Sequence, residues 1–271
     1  MPNTLTHPNP FHYFYSKLLE DKQHLKEEFN QTLFESSVRR KKIIPEVAFN
    51  LEEDEYPQIK EQIALRGWRR VPAPTTGISK LIVQEFYANA AVSDEEVANA
   101  GQLPYKSYVR GVVVDFSPEN IRRVMRFKAE TEGAETDYRT RQATDQSLMR
   151  SLLIYAFPEL LGAQGWQEFI IHSLVPIGNK SEIKVARAIL IHAIMKGEDV
   201  RAEDIIADNM AVIAQGLHGK GNLSFPSTIY KLCKDAGVPL REFRRTSKIP
   251  EEKLITAKRM ESTRIPRNVP Q

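Results

Sequence analysis

The segment 182–195 constrains the fold more than any other part of the chain. Drawn as a helix, its sequence EIKVARAILIHAIM is apolar on nearly every side, with His192 the only polar residue in the run 188–195. A helix without a polar face has to be covered by neighbouring elements. The segment is also too short to cross a bilayer. We therefore expect a multi-helix globular domain in which this helix is central and surrounded.

Other segments repeat apolar residues at helical spacing. The clearest of these segments are 54–66, 78–90, 166–174, 203–215 and 226–236. Pro57 falls in the first turn of one helix and Gly67 is placed to end it. Trp68 follows directly, where a large side chain anchors a loop. Glu85 is the only interruption on the apolar face of segment 78–90.

One short stretch, SYVRGVVVDFSPEN at 107–120, has the period of a strand instead. Val112, Val114 and Phe116 share one side of an extended chain. The pair Arg110-Gly111 can form a tight turn between two strands. The predicted fold class is therefore mainly α, a multi-helix globular domain with one small β-hairpin near 107–116.

The strand ends on Asp115, and metal-dependent nucleases often place their first acid in this way. Such enzymes need several carboxylates on two metal ions, yet Asp199 and Asp204 lie beside or inside predicted helices. The favoured interpretation is that Asp115 and Ser117 bind the free amides at a helix start. No catalytic residue, metal site or cofactor is predicted, and a metal-dependent nuclease or transposase using Asp115 stays the least favoured alternative.

The remaining reactive side chains are predicted to be structural. His172 and His192 lie in apolar helices and have Pro176 and Lys196, which are not metal ligands here, four residues on. Cys233 lies on an apolar helical face, so a core thiol is favoured over a nucleophile. A single cysteine allows no internal disulfide and no zinc finger. With no apolar run of membrane-spanning length, an intracellular protein, cytoplasmic or nuclear and without membrane contact, is expected.

Positive charge is concentrated at the end of the chain. Residues 241–271 hold nine Lys or Arg and four Glu, whereas residues 1–240 hold 29 basic and 31 acidic residues. Such a segment either binds the phosphates of RNA or DNA or is a solvated end. The candidate nucleic-acid contacts are Arg241, Arg244, Arg245, Lys248, Lys258 and Arg259.

Composition divides the chain into three parts. Residues 1–37 form an N-terminal mobile or helical extension, and residues 38–240 form the domain. Within it, residues 128–146 contain almost nothing that could enter a core, which indicates a polar linker or insert. Residues 241–271 are expected to be a basic, flexible tail.

Six strings resemble a known family in this order and at this spacing. They are IIPEVAFNL, IALRGWRRV, LIVQEFYANA, YVRGVVVDFSPENI, WQEFIIHSLVPIGNKSEIKVARAILIHAIMKGEDVRAEDII and LSFPSTIYKLCKDAGV. Together they resemble the plant transposon protein domain, a family encoded in plant mobile elements, over roughly residues 38–240. The resemblance implies an accessory retrotransposon-encoded protein, with no activity or catalytic residue to carry over. We expect a non-catalytic protein that binds nucleic acid, itself or other retroelement proteins; the alternative is a capsid-like self-assembling module.

Overall fold

The computed structural model describes residues 25–52, 55–92, 105–128, 163–176, 185–243, 246–251 and 253–257. Within these residues the fold is mainly α with one small antiparallel hairpin, which confirms the predicted class. The helices are α1 Glu28–Ser36, α2 Pro57–Leu65, α3 Lys80–Ala90, α4 Pro118–Met125, α5 Ala163–Phe169, α6 Val185–Met195, α7 Ala202–Gln215 and α8 Pro226–Asp235. The strands are β1 Lys106–Val109 and β2 Val112–Asp115. Short 3-10 helices span Val38–Arg40, Trp68–Arg70 and Leu240–Phe243, and a π-helical turn, Ile170–Leu174, continues α5.

Helix α3 occupies the centre of the described fold. It packs against α1, β1, α7 and α8, and every residue from 81 to 90 is buried. Ser79 caps its start, with Oγ accepting a hydrogen bond from the amide of Leu81 at 3.1 Å. The expectation that segment 182–195 would be the most surrounded helix is corrected here. The described side chains of α6 are mostly buried too, but Arg187, His192 and Met195 are half-exposed.

Two polar residues of α3 explain why its sequence did not indicate this central position. The amide of Gln84 donates to the carbonyl of Arg39 at 2.9 Å. Asn89 accepts from the amide of Lys26 at 2.9 Å and donates to the carbonyl of Tyr108. A buried polar side chain costs free energy unless it is hydrogen-bonded. These hydrogen bonds join α3 to the segment before α1, the 3-10 helix 38–40 and strand β1, while Gln84 Oε1 stays buried without a hydrogen-bond partner among the described residues.

The hairpin has the predicted pairing and turn. Arg110 and Gly111 both have positive φ, +51° and +78°, as a two-residue type I′ turn requires. Val114 and Phe116 are buried, whereas Val113 on the opposite side of β2 is exposed. Ser107, Val109 and Val114 therefore lie on the face that covers the core, because alternate residues of a strand share one side.

The turn after α2 fixes a large aromatic anchor, as the sequence predicted. Gly67 has φ +71°, and a Cβ there would lie 2.7 Å from the backbone nitrogen of Lys128. Glycine is thus needed for both its conformation and its small size. Trp68 is buried and stacks on Phe169 with the ring centroids 6.4 Å apart. This contact joins the 3-10 helix 68–70 to α5.

Residues 240–257, which we call the C-terminal strap, pack on the domain wherever they are described. Phe243, Ile249 and Ile255 are buried. The amide of Ile249 donates to the carbonyl of Ile78 at 2.8 Å, and the amide of Ile255 donates to that of Ala48 at 2.9 Å. Apolar residues placed six positions apart thus pack the described residues of the strap on the core. The flexibility expected of segment 241–271 stays a prediction.

The other parts of the predicted division are described only in part. Residues 25–37 include α1, which packs on α3 through the buried Leu33 and Phe34. The predicted polar insert 128–146 lies outside the described residues except for Lys128. The division at residues 37 and 240 stays a prediction.

Candidate nucleic-acid interface

Two of the six predicted nucleic-acid contacts lie in the described residues. Arg241 is exposed on the 3-10 helix Leu240–Phe243. Lys248 is also exposed, and its Nζ donates to the carbonyl of Phe243 at 2.9 Å. The other four, Arg244, Arg245, Lys258 and Arg259, lie outside the described residues. Both described cations therefore belong to the strap, whose buried apolar residues pack it on the core.

The strap is held beside a buried ion pair that the sequence did not reveal. The side chains of Glu85 and Arg110 are each only 2% exposed, with Arg110 Nε 3.3 Å from Glu85 Oε2. The backbone amide of Arg110 also donates to Glu85 Oε1 at 2.7 Å. The guanidinium carbon of Arg110 lies 4.6 Å from the centroid of the Phe243 ring. This cation–π contact ties the start of the strap to the hairpin turn and to α3.

The isolated glutamate on the apolar face of segment 78–90 was the one sequence signal for this pair. A buried carboxylate needs a partner, but Arg110 lies 25 residues away, in a turn for which arginine is unusual. The positive φ of Arg110 is what aims both its amide and its side chain at Glu85. Sequence spacing gives no indication of that geometry.

A second buried carboxylate, Glu46, binds the start of α8. Its two oxygens accept hydrogen bonds from the backbone amides of Ser227 and Thr228 at 2.9 and 2.8 Å, and from the Thr228 hydroxyl at 3.0 Å. Phe225, the residue before the helix, has φ +62° and no side-chain acceptor. Glu46 thus acts as the cap that α8 lacks. Burial raises the pKa of the Glu46 carboxyl, although these hydrogen bonds oppose the shift.

Asp115 lies at a helix start, as the favoured interpretation held. Its Oδ1 accepts a hydrogen bond from the amide of Ser117 at 2.7 Å, and its side chain is exposed. The hydroxyl of Ser117 accepts from the amide of Asn120, with Pro118 in the first helical position. No group of three or more His, Cys, Asp or Glu that could hold a metal ion occurs in the described part of the chain. Ser117 is thus the cap of α4, and Asp115 holds the backbone amide of that cap residue.

The histidines and the cysteine have structural surroundings. His172 is buried, with Nε2 3.2 Å from the carboxylate of Glu168, one helical turn before it. His192 is half-buried. Cys233 is fully buried, and burial raises the pKa of its thiol, which keeps it protonated and unreactive. No helix among the described residues has the length and apolar character needed to span a membrane.

The family comparison agrees with the resemblance noted in the sequence. A family model described as the putative plant retrotransposon-related domain matches residues 64–239, more than half of the chain. The match covers α3, the hairpin, α4 and the helices through α8, and it ends just before the strap. No curated protein and no solved structure matches the chain. The chain belongs to the plant retrotransposon-related domain family.

Proposed function

We propose that this chain is a non-catalytic, plant retroelement-derived protein that binds RNA or DNA through its basic C-terminal segment, residues 241–271. One observation carries the proposal: the strap buries Phe243, Ile249 and Ile255 and leaves Arg241 and Lys248 exposed. The segment also carries nine basic and four acidic residues, while the rest of the chain is slightly acidic. Its basic side chains attract the negatively charged phosphates of RNA and DNA.

Anchoring of the strap favours binding in a second way. A free tail has to lose conformational entropy when it binds, whereas a strap that is already fixed has lost most of it. Arg241 and Lys248 are separated by Phe243, whose ring lies against Arg110. The apolar residues of the strap therefore fix where its charges can meet a phosphate backbone.

The test is binding to labelled RNA and duplex DNA of random sequence, measured by fluorescence anisotropy over a salt titration. Deleting 241–271 would remove Phe243, Ile249 and Ile255 from the core, so point substitutions are the better probe. We use R241Q/K248Q/K258Q and call it the strap variant, although Lys258 follows the last residue of the strap. Loss of three phosphate contacts should lower the salt slope on duplex DNA by about three and weaken binding about tenfold or more.

The matched control removes three exposed lysines elsewhere, in the variant K42Q/K196Q/K220Q. It changes net charge equally, so it should retain wild-type affinity to within about threefold if the location of charge matters. Binding that is independent of salt, or an equal loss in the control, would contradict the proposal.

Self-assembly into a capsid-like module is the alternative that the sequence left open. The described residues with exposed large apolar side chains lie on five different segments: Phe29, Leu65, Val113, Val212 and Leu254. Light scattering at high protein concentration tests this alternative directly. A monodisperse monomer would remove it, and a concentration-dependent oligomer would favour it over the strap as the main functional surface.

A further inference from the structure

Three segments far apart in sequence bring a second group of basic residues together. They are the 3-10 helix Trp68–Arg70, the residues 122–128 at the end of α4, and the residues 231–235 at the end of α8. Their basic side chains form what we call the basic surface: Arg69, Arg70, Arg122, Arg123, Arg126, Lys128, Lys231 and Lys234. Unlike the strap, this surface lies entirely within residues 64–239, the part that matches the family.

Hydrogen bonds between the segments hold the basic surface together. Arg70 Nη1 donates to the carbonyl of Val124 at 2.5 Å, in the last turn of α4. Lys231 Nζ on α8 donates to the carbonyl of Arg70 at 3.3 Å. Arg123 joins α4 to the end of α8, since its Nη1 donates to Asp235 Oδ1 at 3.0 Å. Each pair of the three segments is therefore joined by a direct hydrogen bond.

Positive charge on this surface is poorly balanced by acids of the same segments. Asp235 is the only acidic residue in 68–70, 122–128 and 231–235, and Arg123 already binds it. Acids of other segments lie at the edges of the surface, Asp115 near Arg123 and Glu198 and Asp199 beside Lys128. Burial is the main cause that lowers the pKa of Lys231, and the attraction of Glu46 outweighs the repulsion of Arg70. Because the basic residues of these segments outnumber their acids eight to one, an anion bound to the surface would meet a net positive charge.

The chemistry of the surface favours phosphate over other anionic partners. Five of its eight cations are arginines, whose planar guanidinium groups bind phosphate oxygens in pairs. Arg69, Arg123, Arg126, Lys128 and Lys234 are exposed. None of the exposed large apolar residues in the described part of the chain belongs to these segments. A protein interface or a membrane-inserting surface would normally add apolar side chains at its centre.

We infer that the basic surface is a second nucleic-acid-binding site, which contacts the phosphate backbone and makes no base-specific contacts. The inference rests on the proposed function, since it concerns the same class of ligand. It adds that binding does not depend on the strap alone and that the family-matched domain contributes contacts of its own. With two basic regions, one protein molecule could contact a longer stretch of the phosphate backbone of RNA or DNA.

The test removes one exposed cation from each segment, in the variant R69Q/K128Q/K234Q. We expect random-sequence duplex DNA and RNA to bind about tenfold more weakly or worse, with a salt slope lower by about three on duplex DNA. The control K42Q/K196Q/K220Q loses the same net charge and should bind like the wild type. Equal thermal unfolding temperatures of all three proteins would show that the fold is intact.

Four outcomes separate this inference from the proposed function. If the wild type binds and both the strap variant and the surface variant lose affinity, both statements hold. If only the strap variant loses affinity, the surface inference is wrong and the proposed function stands. If the wild type binds no nucleic acid, both are wrong. If the surface variant loses binding only to phosphatidylserine vesicles or to an acidic protein, the surface serves that ligand and the inference is wrong.

Discussion

Glu46 and Glu85 are both buried carboxylates, but the fold stabilises them by different means. Glu85 faces a buried cation, Arg110, and also accepts that residue's backbone amide. Glu46 accepts two amides at the start of α8 and the hydroxyl of Thr228. One carboxylate is balanced by a full charge, and the other by hydrogen-bond donors and the positive end of a helix.

The difference shows how two distant parts of the chain are joined to the same core. Glu85 connects the central helix α3 to the hairpin turn, and through Arg110 to Phe243 of the strap. Glu46 connects the extended segment before α2 to α8, 181 residues further on. A buried carboxylate without a partner costs free energy, so the stability of the fold depends on each carboxylate keeping its partner in place. Removing the partners in turn measures that dependence.

The largest effect is expected from Arg110→Met, which removes the buried cation and keeps much of the side-chain volume. Glu85 would be left as an uncompensated buried charge, so the free energy of unfolding should fall by about 3–5 kcal/mol. Urea denaturation followed by circular dichroism measures this change. The cation–π contact with Phe243 would be lost with the guanidinium.

The exposed pair Arg123–Asp235 provides the matched control. Arg123→Met breaks an ion pair whose arginine side chain is 60% exposed, and should cost far less than Arg110→Met because solvent screens the pair. The double variant E85L/R110M should regain part of the stability lost in Arg110→Met, because no charge remains buried. If Arg110→Met and Arg123→Met cost the same, the buried pair does not have the role assigned to it.

A smaller, pH-dependent effect is expected from Glu46→Gln. The amide nitrogen of glutamine cannot accept a hydrogen bond from α8, whereas either oxygen of the carboxyl can, so the variant should lose about 1–3 kcal/mol of unfolding free energy near pH 4.5. Burial raises the pKa of Glu46 in the folded state above its ordinary value of 4.5. In the wild type, ionising this carboxyl therefore reduces stability as the pH rises from 4.5 through the folded-state pKa.

Glutamine has no such titration, so the deficit of the variant should shrink as the pH rises through that window. Urea denaturation of both proteins at a series of pH values between about 4.5 and 7.5 would show the trend. Glu61→Gln, at an exposed position of α2, should show neither the loss nor the pH trend. A deficit that grows with pH would mean that the donated hydrogen bonds outweigh burial at Glu46.

Local sequence patterns predicted the elements of the fold well and their arrangement poorly. The proline at the start of α2, the Arg110-Gly111 turn and the Ser117-Pro118 helix start are all short-range signals, and the structure has all three. The central position of α3 was missed because Gln84, Glu85 and Asn89 make that helix look less apolar than α6. Their partners lie outside the helix, where periodicity carries no information.

The two candidate binding regions show the same limit. The charge of segment 241–271 is contiguous, so the sequence revealed it, but the anchoring of its described part depends on contacts with Ala48 and Ile78. The basic surface is assembled from three short clusters separated by about 50 and 100 residues, each unremarkable alone. Only the packing of α4 against α8 and the 3-10 helix 68–70 makes one surface of them.

The smallest effect is expected at Asp115, an exposed carboxylate that accepts the amide of Ser117, the residue that caps α4. Asp115→Asn keeps an oxygen that can accept the amide of Ser117, so stability should change by about 0.5 kcal/mol or less. Asp115→Ala removes that acceptor and should cost about 1 kcal/mol. Urea denaturation of both variants separates the two values.

The wild type and Asp115→Asn also test the nuclease alternative, with labelled duplex DNA in magnesium or manganese. We expect no cleavage by either protein. Cleavage by the wild type that the near-isosteric asparagine abolishes would instead assign Asp115 to a metal, because a helix cap has no reason to need the second carboxylate oxygen.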